Sequence, residues 1–274
     1  MGSHDLNTHG ECMPGMKQKP ILKGLTGLIE QGVNLLPFSR LKAPSLTLVV
    51  FLSPETLKIG HGRMIHGSFL IEGVAVEPIA QRGDSEIVQA ILLYCQAQKI
   101  APTQALCLIP SQQFIFKNVD IPSTEKEEVA KIIDLQAGRF TPYAREEIVI
   151  DFVCLEAFVQ HFTSVLLFII NRKIADRLAT IFQETRIMID RVVVASDCMA
   201  MTYIKAAQGK TLHGSLGGLH VGEEYSELTV MDGSQVVFVR NIPVGAASLK
   251  KNAEQAKSDF VQELNRSIGA YHDQ

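Results

Sequence analysis

The stretch Leu219–Gly245, LHVGEEYSELTVMDGSQVVFVRNIPVG, decides how the chain is read. Two segments rich in β-branched and aromatic residues, Ser226–Val230 and Gln235–Arg240, flank Asp232-Gly233, a dipeptide that tolerates positive φ in a tight turn. This spacing predicts a β-hairpin. Upstream, Gly217-Gly218-Leu219-His220-Val221-Gly222 predicts a short strand running into a glycine-bearing turn, where a backbone can approach a phosphate closely.

The stretch resembles the second phosphate hairpin of the actin-like ATPases, most closely that of the PilM-like type IV pilus assembly proteins related to FtsA. In that family the strand carries Asp-x-Gly, the hairpin follows, and an Arg-x-Ile-x-x-Gly segment leads into a helix. The matching residues are His220-Val221-Gly222 and Arg240-Asn241-Ile242-Pro243-Val244-Gly245, with His220 in the place of the acid. A second segment carries the same resemblance. Gln136-Ala137-Gly138-Arg139-Phe140-Thr141-Pro142-Tyr143, followed by Glu146-Glu147-Ile148-Val149-Ile150-Asp151, is similar to the family's Glu-Ala-x-x-Tyr-Ile-Pro-Phe and Glu-Glu-Val-x-x-Asp segments at matching spacing. The resemblance spans residues 46–274 and implies an α/β, actin-like (ribonuclease H-like) fold of two lobes with a small inserted subdomain.

Composition narrows the function classes. The net charge of −3 has both signs dispersed along the chain, so there is no basic footprint for nucleic acid. The five cysteines are odd in number and form no C-x-x-C pair, which argues against a disulfide framework or zinc site and for a reducing cytoplasm. The longest wholly apolar run, Val165–Ile170, is far short of the ~20 residues needed to cross a bilayer. Residues 1–20 lack periodicity and are expected to be a disordered arm. Ile21, Leu22, Leu25, Leu28, Ile29, Leu35 and Leu36 recur at helical spacing between basic flanks, predicting an amphipathic helix over 21–38 with a linker to 44. Such a helix binds an anionic membrane surface or packs on its own domain, and both readings stay open.

From Leu46 the pattern is α/β. Leu46–Leu52, Thr56–Ile59 and Gly67–Val76 predict a meander with turns at Ser53-Pro54-Glu55 and His61-Gly62. Asp84 is expected to cap a helix over 85–99, before a strand at Ala105–Ile109. A strand at Phe114–Ile121 leads to a helix over 125–139 with Thr124 and Glu127 as a capping box. Strands at Ile148–Phe158 and Ser164–Ile170 precede a helix over 172–185 capped by Asn171. A strand at Ile189–Val194, a helix from Ser196 to Gly209 and a final helix capped by Ser248 complete the order. The expected division is a first lobe of 46–110 and 163–200, an inserted subdomain of 111–162 and a partial second lobe of 201–274. The family continues with a strand and a Gly-Gly turn that hold the adenosine, so the second lobe is expected to be incomplete.

ATP hydrolysis needs Mg²⁺ held by carboxylates and phosphate oxygens. Laying Thr56-Leu57-Lys58 on the family's Ser-Val-Lys puts Phe51 where the first loop's Asp belongs and Ser53 on its Gly. The second loop offers His220, Gly222 and Gly245. These residues predict inactive loops, no catalysis and no ATP or Mg²⁺ cofactor. Glu223 or Glu224 supplies a carboxylate only in a shifted register, and otherwise both are solvated turn residues. The eight histidines form no H-x-x-x-H pattern, so no metal site is expected. Phe140, Pro142 and Tyr143 either anchor a peptide or pack a helix end. By resemblance they lie beside the groove that takes the cytoplasmic tail of a PilN-like single-pass inner-membrane protein. The resulting expectation is a non-catalytic cytoplasmic scaffold, peripheral to the inner membrane, in a type IV pilus or type II secretion platform. The alternative, an ATP-binding actin-like ATPase or sugar-kinase relative, requires acids in both loops.

Overall fold

Alternating burial along three consecutive strands builds the first layer of the molecule. The computed structural model describes residues 34–35, 46–65, 68–159, 161–207 and 214–273. β2 (Thr47–Leu52), β3 (Thr56–Ile65) and β4 (Ser68–Pro78) form the meander, joined in parallel by β5 (Gln104–Ile109) and β9 (Met188–Val194). With β1 (Asn34–Leu35) the sheet order is β1-β9-β5-β2-β3-β4. Leu48, Val50, Leu57 and Ile59 point from one face into a core closed by α1 (Asp84–Ala97) and α3 (Arg172–Thr185). The helices contribute Ile87 and Ile91, and Leu178, Ile181 and Phe182, one apolar stripe each at helical spacing.

A second sheet, β6 (Phe114–Ile121), β8 (Phe162–Asn171) and β7 (Ile148–Val159), has β8 at its centre. β8 is apolar on both faces because both are covered. Val165, Leu167 and Ile169 pack on Val129 and Ile133 of α2 (Lys126–Gln136), whereas Leu166 packs on Met231, Val236 and Val239 of the third sheet. That third sheet orders β10 (Leu216–Val221), β11 (Ser226–Asp232) and β12 (Gln235–Ile242). After α4 (Ala195–Ala207) and the short α5 (Ala246–Lys251), α6 (Ala253–His272) covers Leu228, Val230 and Phe238 with Leu264 and Tyr271. The predicted hairpin is present, with Gly233 at φ +56° and Asp232 paired to Gln235.

Several expectations are corrected. His61-Gly62 is no turn: β3 runs through it with a register shift, and His61 is buried with Nδ1 2.7 Å from the Tyr94 hydroxyl. A Cβ on Gly62 would lie 2.3 Å from the Leu70 carbonyl oxygen, so the glycine permits close strand approach. Only one of the expected caps holds: Asn171 accepts the Lys173 N–H at 2.9 Å. Gly83 precedes α1, and Asp84 lies in its first turn accepting from Arg177 at 2.8 Å. Before α2 the N-cap is Glu125, which makes no side-chain cap bond, and Ser123 accepts the Glu125 N–H at 3.1 Å and donates to Glu128 at 2.6 Å. Ser196 and Ser248 lie inside their helices. The helix expected over 125–139 ends at Gln136 in a 3-10 turn. β8 pairs with both β6 and β7, so this sheet extends to Asn171. Asn34 and Leu35 are extended and paired with β9, so no helix runs through them. The remainder of the predicted helix over 21–38, the 1–20 arm and the linker to 44 lie outside the described residues.

Candidate functional site

The turn between β2 and β3, where the first phosphate loop was expected, is closed on itself. Ser53 is buried, and its Oγ accepts the N–H groups of Glu55 (3.2 Å) and Thr56 (2.8 Å), while the Ser53 N–H donates to the Thr56 carbonyl at 3.0 Å. Backbone donors that could cradle a phosphate are therefore engaged internally. Phe51 is half-buried, and Lys58 Nζ stands 5.1 Å from its ring centroid, a cation–π placement.

The second loop is closed in the same way. Gly222 donates its N–H to the Tyr225 carbonyl at 3.0 Å, and the first N–H groups of α5, from Ala246 and Ala247, donate to the carbonyls of Gly222 (2.8 Å) and Glu223 (2.9 Å). A Cβ on Gly245 would lie 2.4 Å from the Glu224 backbone, so this glycine serves the packing of turn against helix. Burial and the charge of Lys58 lower the pKa of His220, which is neutral near pH 7. The fold thus brings Lys58 and His220, one from each expected loop, into electrostatic contact. Glu223 and Glu224 are exposed, as solvated turn residues are. Among the described residues no three His, Cys, Asp or Glu side chains converge as a metal site would require. Phe51 and His220 supply no carboxylate at the two positions where one was expected, and the N–H groups of Ser53, Glu55, Thr56 and Gly222 are engaged within their own turns.

Sequence reasoning missed a buried polar joint. Glu227, 3% exposed, accepts from the Ser111 hydroxyl and from Thr229 Oγ1 at 2.9 Å. Asn241 Nδ2 donates to the Ser111 carbonyl at 3.0 Å, and Tyr225 also bonds the Ser111 side chain. Burial pushes Glu227 up to about 7; the Thr229 hydroxyl opposes this and Asp197 adds to it. Asp197, half-buried, is pushed up to about 6 by desolvation of its carboxyl. The available signal was an acid alternating with threonine opposite Leu228 and Val230, a pattern that reads equally well as a solvated strand face.

Beyond Ser111 the chain lines a cleft of about 510 Å³. Its walls are the β2–β3 turn at Ser53 and Pro54, the β5–β6 connection at Gln112 and Gln113, and Lys173, Ile174 and Arg177 of α3, with Tyr143 at its mouth. Tyr143 is 42% exposed. Gln112 Oε1 and Gln113 Oε1 are buried and have no hydrogen-bond partner among the described residues. Of the three residues proposed for partner binding, only Tyr143 lines the cleft. Phe140 packs against the core of the inserted sheet, and Pro142 is exposed and does not line the cleft.

No protein-family model and no curated protein sequence matches this chain. Among solved structures, a chain of the PilM-PilN type IV pilus biogenesis complex is similar over 85% of this chain and 72% of its own length, with a TM-score of 0.63 at 14% identity. The fold is actin-like. A Bacteroides thetaiotaomicron protein of actin-like ATPase fold and unknown function matches more weakly, with a TM-score of 0.49 at 12% identity over 79% of this chain and 76% of that one. The cytoplasmic domain of EpsL, an inner-membrane component of the Vibrio cholerae type II secretion system, matches with a TM-score of 0.48 at 12% identity over 72% of each chain. Relative to the actin-like architecture, the cleft lies where the inserted three-stranded sheet meets the six-stranded one.

Proposed function

We propose that this chain is a non-catalytic, actin-like scaffold of a type IV pilus or type II secretion assembly platform, and that it takes an extended tail of a PilN-like membrane protein into the cleft beside Tyr143. One contrast carries the reading. Both expected phosphate loops turn backbone donors, those of Ser53, Glu55, Thr56 and Gly222, onto themselves, whereas the cleft keeps two buried carbonyl oxygens without a partner among the described residues beside an exposed aromatic ring. An extended peptide supplies the missing chemistry: its main-chain N–H groups donate to Gln112 and Gln113, and an apolar side chain packs on Ile109, Phe114 and Tyr143. Each such hydrogen bond contributes about 1 kcal/mol, and an aromatic anchor about 2 kcal/mol.

The likeness to a chain of the PilM-PilN complex supports this choice of partner. Among the described residues no helix is long and apolar enough to cross a membrane. In this reading the partner's tail holds the chain at the inner membrane, with the 21–38 segment as a second contact to anionic lipid. Affinity capture from native membranes with wild type and Tyr143→Ala tests the proposal, the variant recovering at least tenfold less of a PilN-like protein.

A further inference from the structure

The helix that walls the cleft carries its charges against its own dipole. α3 begins at Arg172-Lys173, has no acid in its first turn and adds Arg177 one turn further on. A helix N-terminus bears partial positive charge, and like charges four residues apart on one face repel, so both placements are unfavourable unless an anion lies against them. Arg172 is occupied by the fold: its Nε donates to the Glu146 carbonyl at 2.6 Å and its Nη2 to the Ile148 carbonyl at 2.9 Å, tying α3 to the start of β7.

Lys173 and Arg177 instead line the cleft, together with Ile174 and Leu178 from the same side of the helix. Arg177 gives only its Nε to Asp84, at 2.8 Å. Among the described residues, Lys173 Nζ and the terminal nitrogens of Arg177 make no hydrogen bond or ion pair. No Asp or Glu is among the lining residues, Asp176 included, although the chain as a whole has a net charge of −3.

The β5–β6 connection asks for the opposite chemistry. Gln112 and Gln113 hold buried Oε1 atoms without a partner among the described residues, and such acceptors call for N–H donors. Most of the remaining lining is apolar, Ile109, Phe114 and Ile170 included. A phosphate or sulfate ion would meet the cations and leave the apolar surface unmatched. An extended peptide with an acidic side chain meets all three demands, with main-chain N–H groups for the glutamines, apolar side chains for the lining and a carboxylate for α3.

We propose that the cleft selects a tail in which an aspartate or glutamate is flanked by apolar residues, its carboxylate held by Lys173 and Arg177. This rests on the reading of the cleft as a tail-binding site and adds the residue that the tail carries at α3. Lys173 supplies most of the discrimination, because Arg177 is shared with Asp84.

The probe is a library of N-acetylated, C-amidated octapeptides, whose blocked ends contribute no charge, passed over the immobilised full chain and sequenced by mass spectrometry. Wild type is expected to retain peptides with one Asp or Glu among apolar residues at least tenfold over their Asn and Gln counterparts. Lys173→Gln should erase that preference and Lys173→Glu should replace it with one for Lys or Arg, both at unchanged melting temperature. Tyr143→Ala should lower the retention of every peptide. A selected acidic peptide, fluorescein-labelled and followed by anisotropy, should lose affinity for wild type as NaCl is raised and lose much less for Lys173→Gln. Apolar peptides retained without preference for an acid, at a site that Tyr143→Ala still weakens, would overturn the proposal and leave the tail-binding cleft standing. So would an acid preference that survives Lys173→Glu. Retention of no peptide, or equal retention by wild type and Tyr143→Ala, would remove both.

Discussion

The Ser111 hydroxyl donates a hydrogen bond to the buried carboxyl of Glu227, and this contact fastens the turn after β5 to the second strand of the third sheet. Asn241 reinforces it through the Ser111 carbonyl, and Asn118 Nδ2 ties the inserted sheet to the Val237 carbonyl at 2.9 Å. The three sheets are therefore joined by directional bonds as well as by the apolar contact of Leu166 with Met231 and Val239.

The joint makes stability pH-dependent. Glu227 titrates at about 7 in the folded protein against an ordinary 4.5, so the fold favours its protonated form. Its contribution is full below pH 4.5 and is lost as pH rises through about 7, an effect of up to roughly 3 kcal/mol. Asp197, raised to about 6, acts in the same sense at lower pH. Urea denaturation should therefore show a smaller loss of stability between pH 5.5 and 8 in Glu227→Gln than in wild type. Identical slopes for the two proteins would contradict the assignment.

Legibility in the sequence followed the range of the forces involved. The β11–β12 hairpin, β6 and the Asn171 cap were readable because turn chemistry, alternation and a local side-chain bond act within a few residues. The caps assigned to Asp84 and Thr124 failed because each helix starts one residue away from the expected position, with Gly83 and Glu125 as the N-caps, and Asp84 instead pairs with the distant Arg177. The joint at Glu227 was hidden because its partner Ser111 lies in another sheet's connection. Phe140 and Tyr143 were read as a pair, yet one packs inward and the other faces the cleft, which depends on how the 3-10 turn at Ala137–Arg139 ends α2.

Gly245 is expected to be intolerant of a side chain. A Cβ there meets the Glu224 backbone at 2.4 Å and the Glu223 carbonyl oxygen at 2.5 Å, atoms that cannot rotate away. Gly245→Ala should lower stability by about 2 kcal/mol. Gly217→Ala, with nothing within 4 Å of the added carbon, should stay within about 0.5 kcal/mol of wild type. Thermal denaturation of the two variants side by side checks the contrast.

Calorimetric titration with Mg-ATP is expected to give no saturable heat at micromolar concentrations, because Phe51 and His220 stand where acids are expected and the N–H groups of Ser53, Glu55, Thr56 and Gly222 are already bonded. Installing acids with Phe51→Asp and His220→Asp together should not create hydrolysis, since those backbone bonds remain. Micromolar, Mg²⁺-dependent binding by wild type would refute this.

The most direct measurement is the recovery of a membrane partner from native inner membranes, compared between wild type and Tyr143→Ala and identified by mass spectrometry. A cleft that holds an extended tail predicts a PilN-like single-pass protein in the wild-type capture, at least tenfold less of it with Tyr143→Ala, and a nearly unchanged melting temperature. Equal recovery by both proteins, or a wild-type capture without any such protein, would contradict the account.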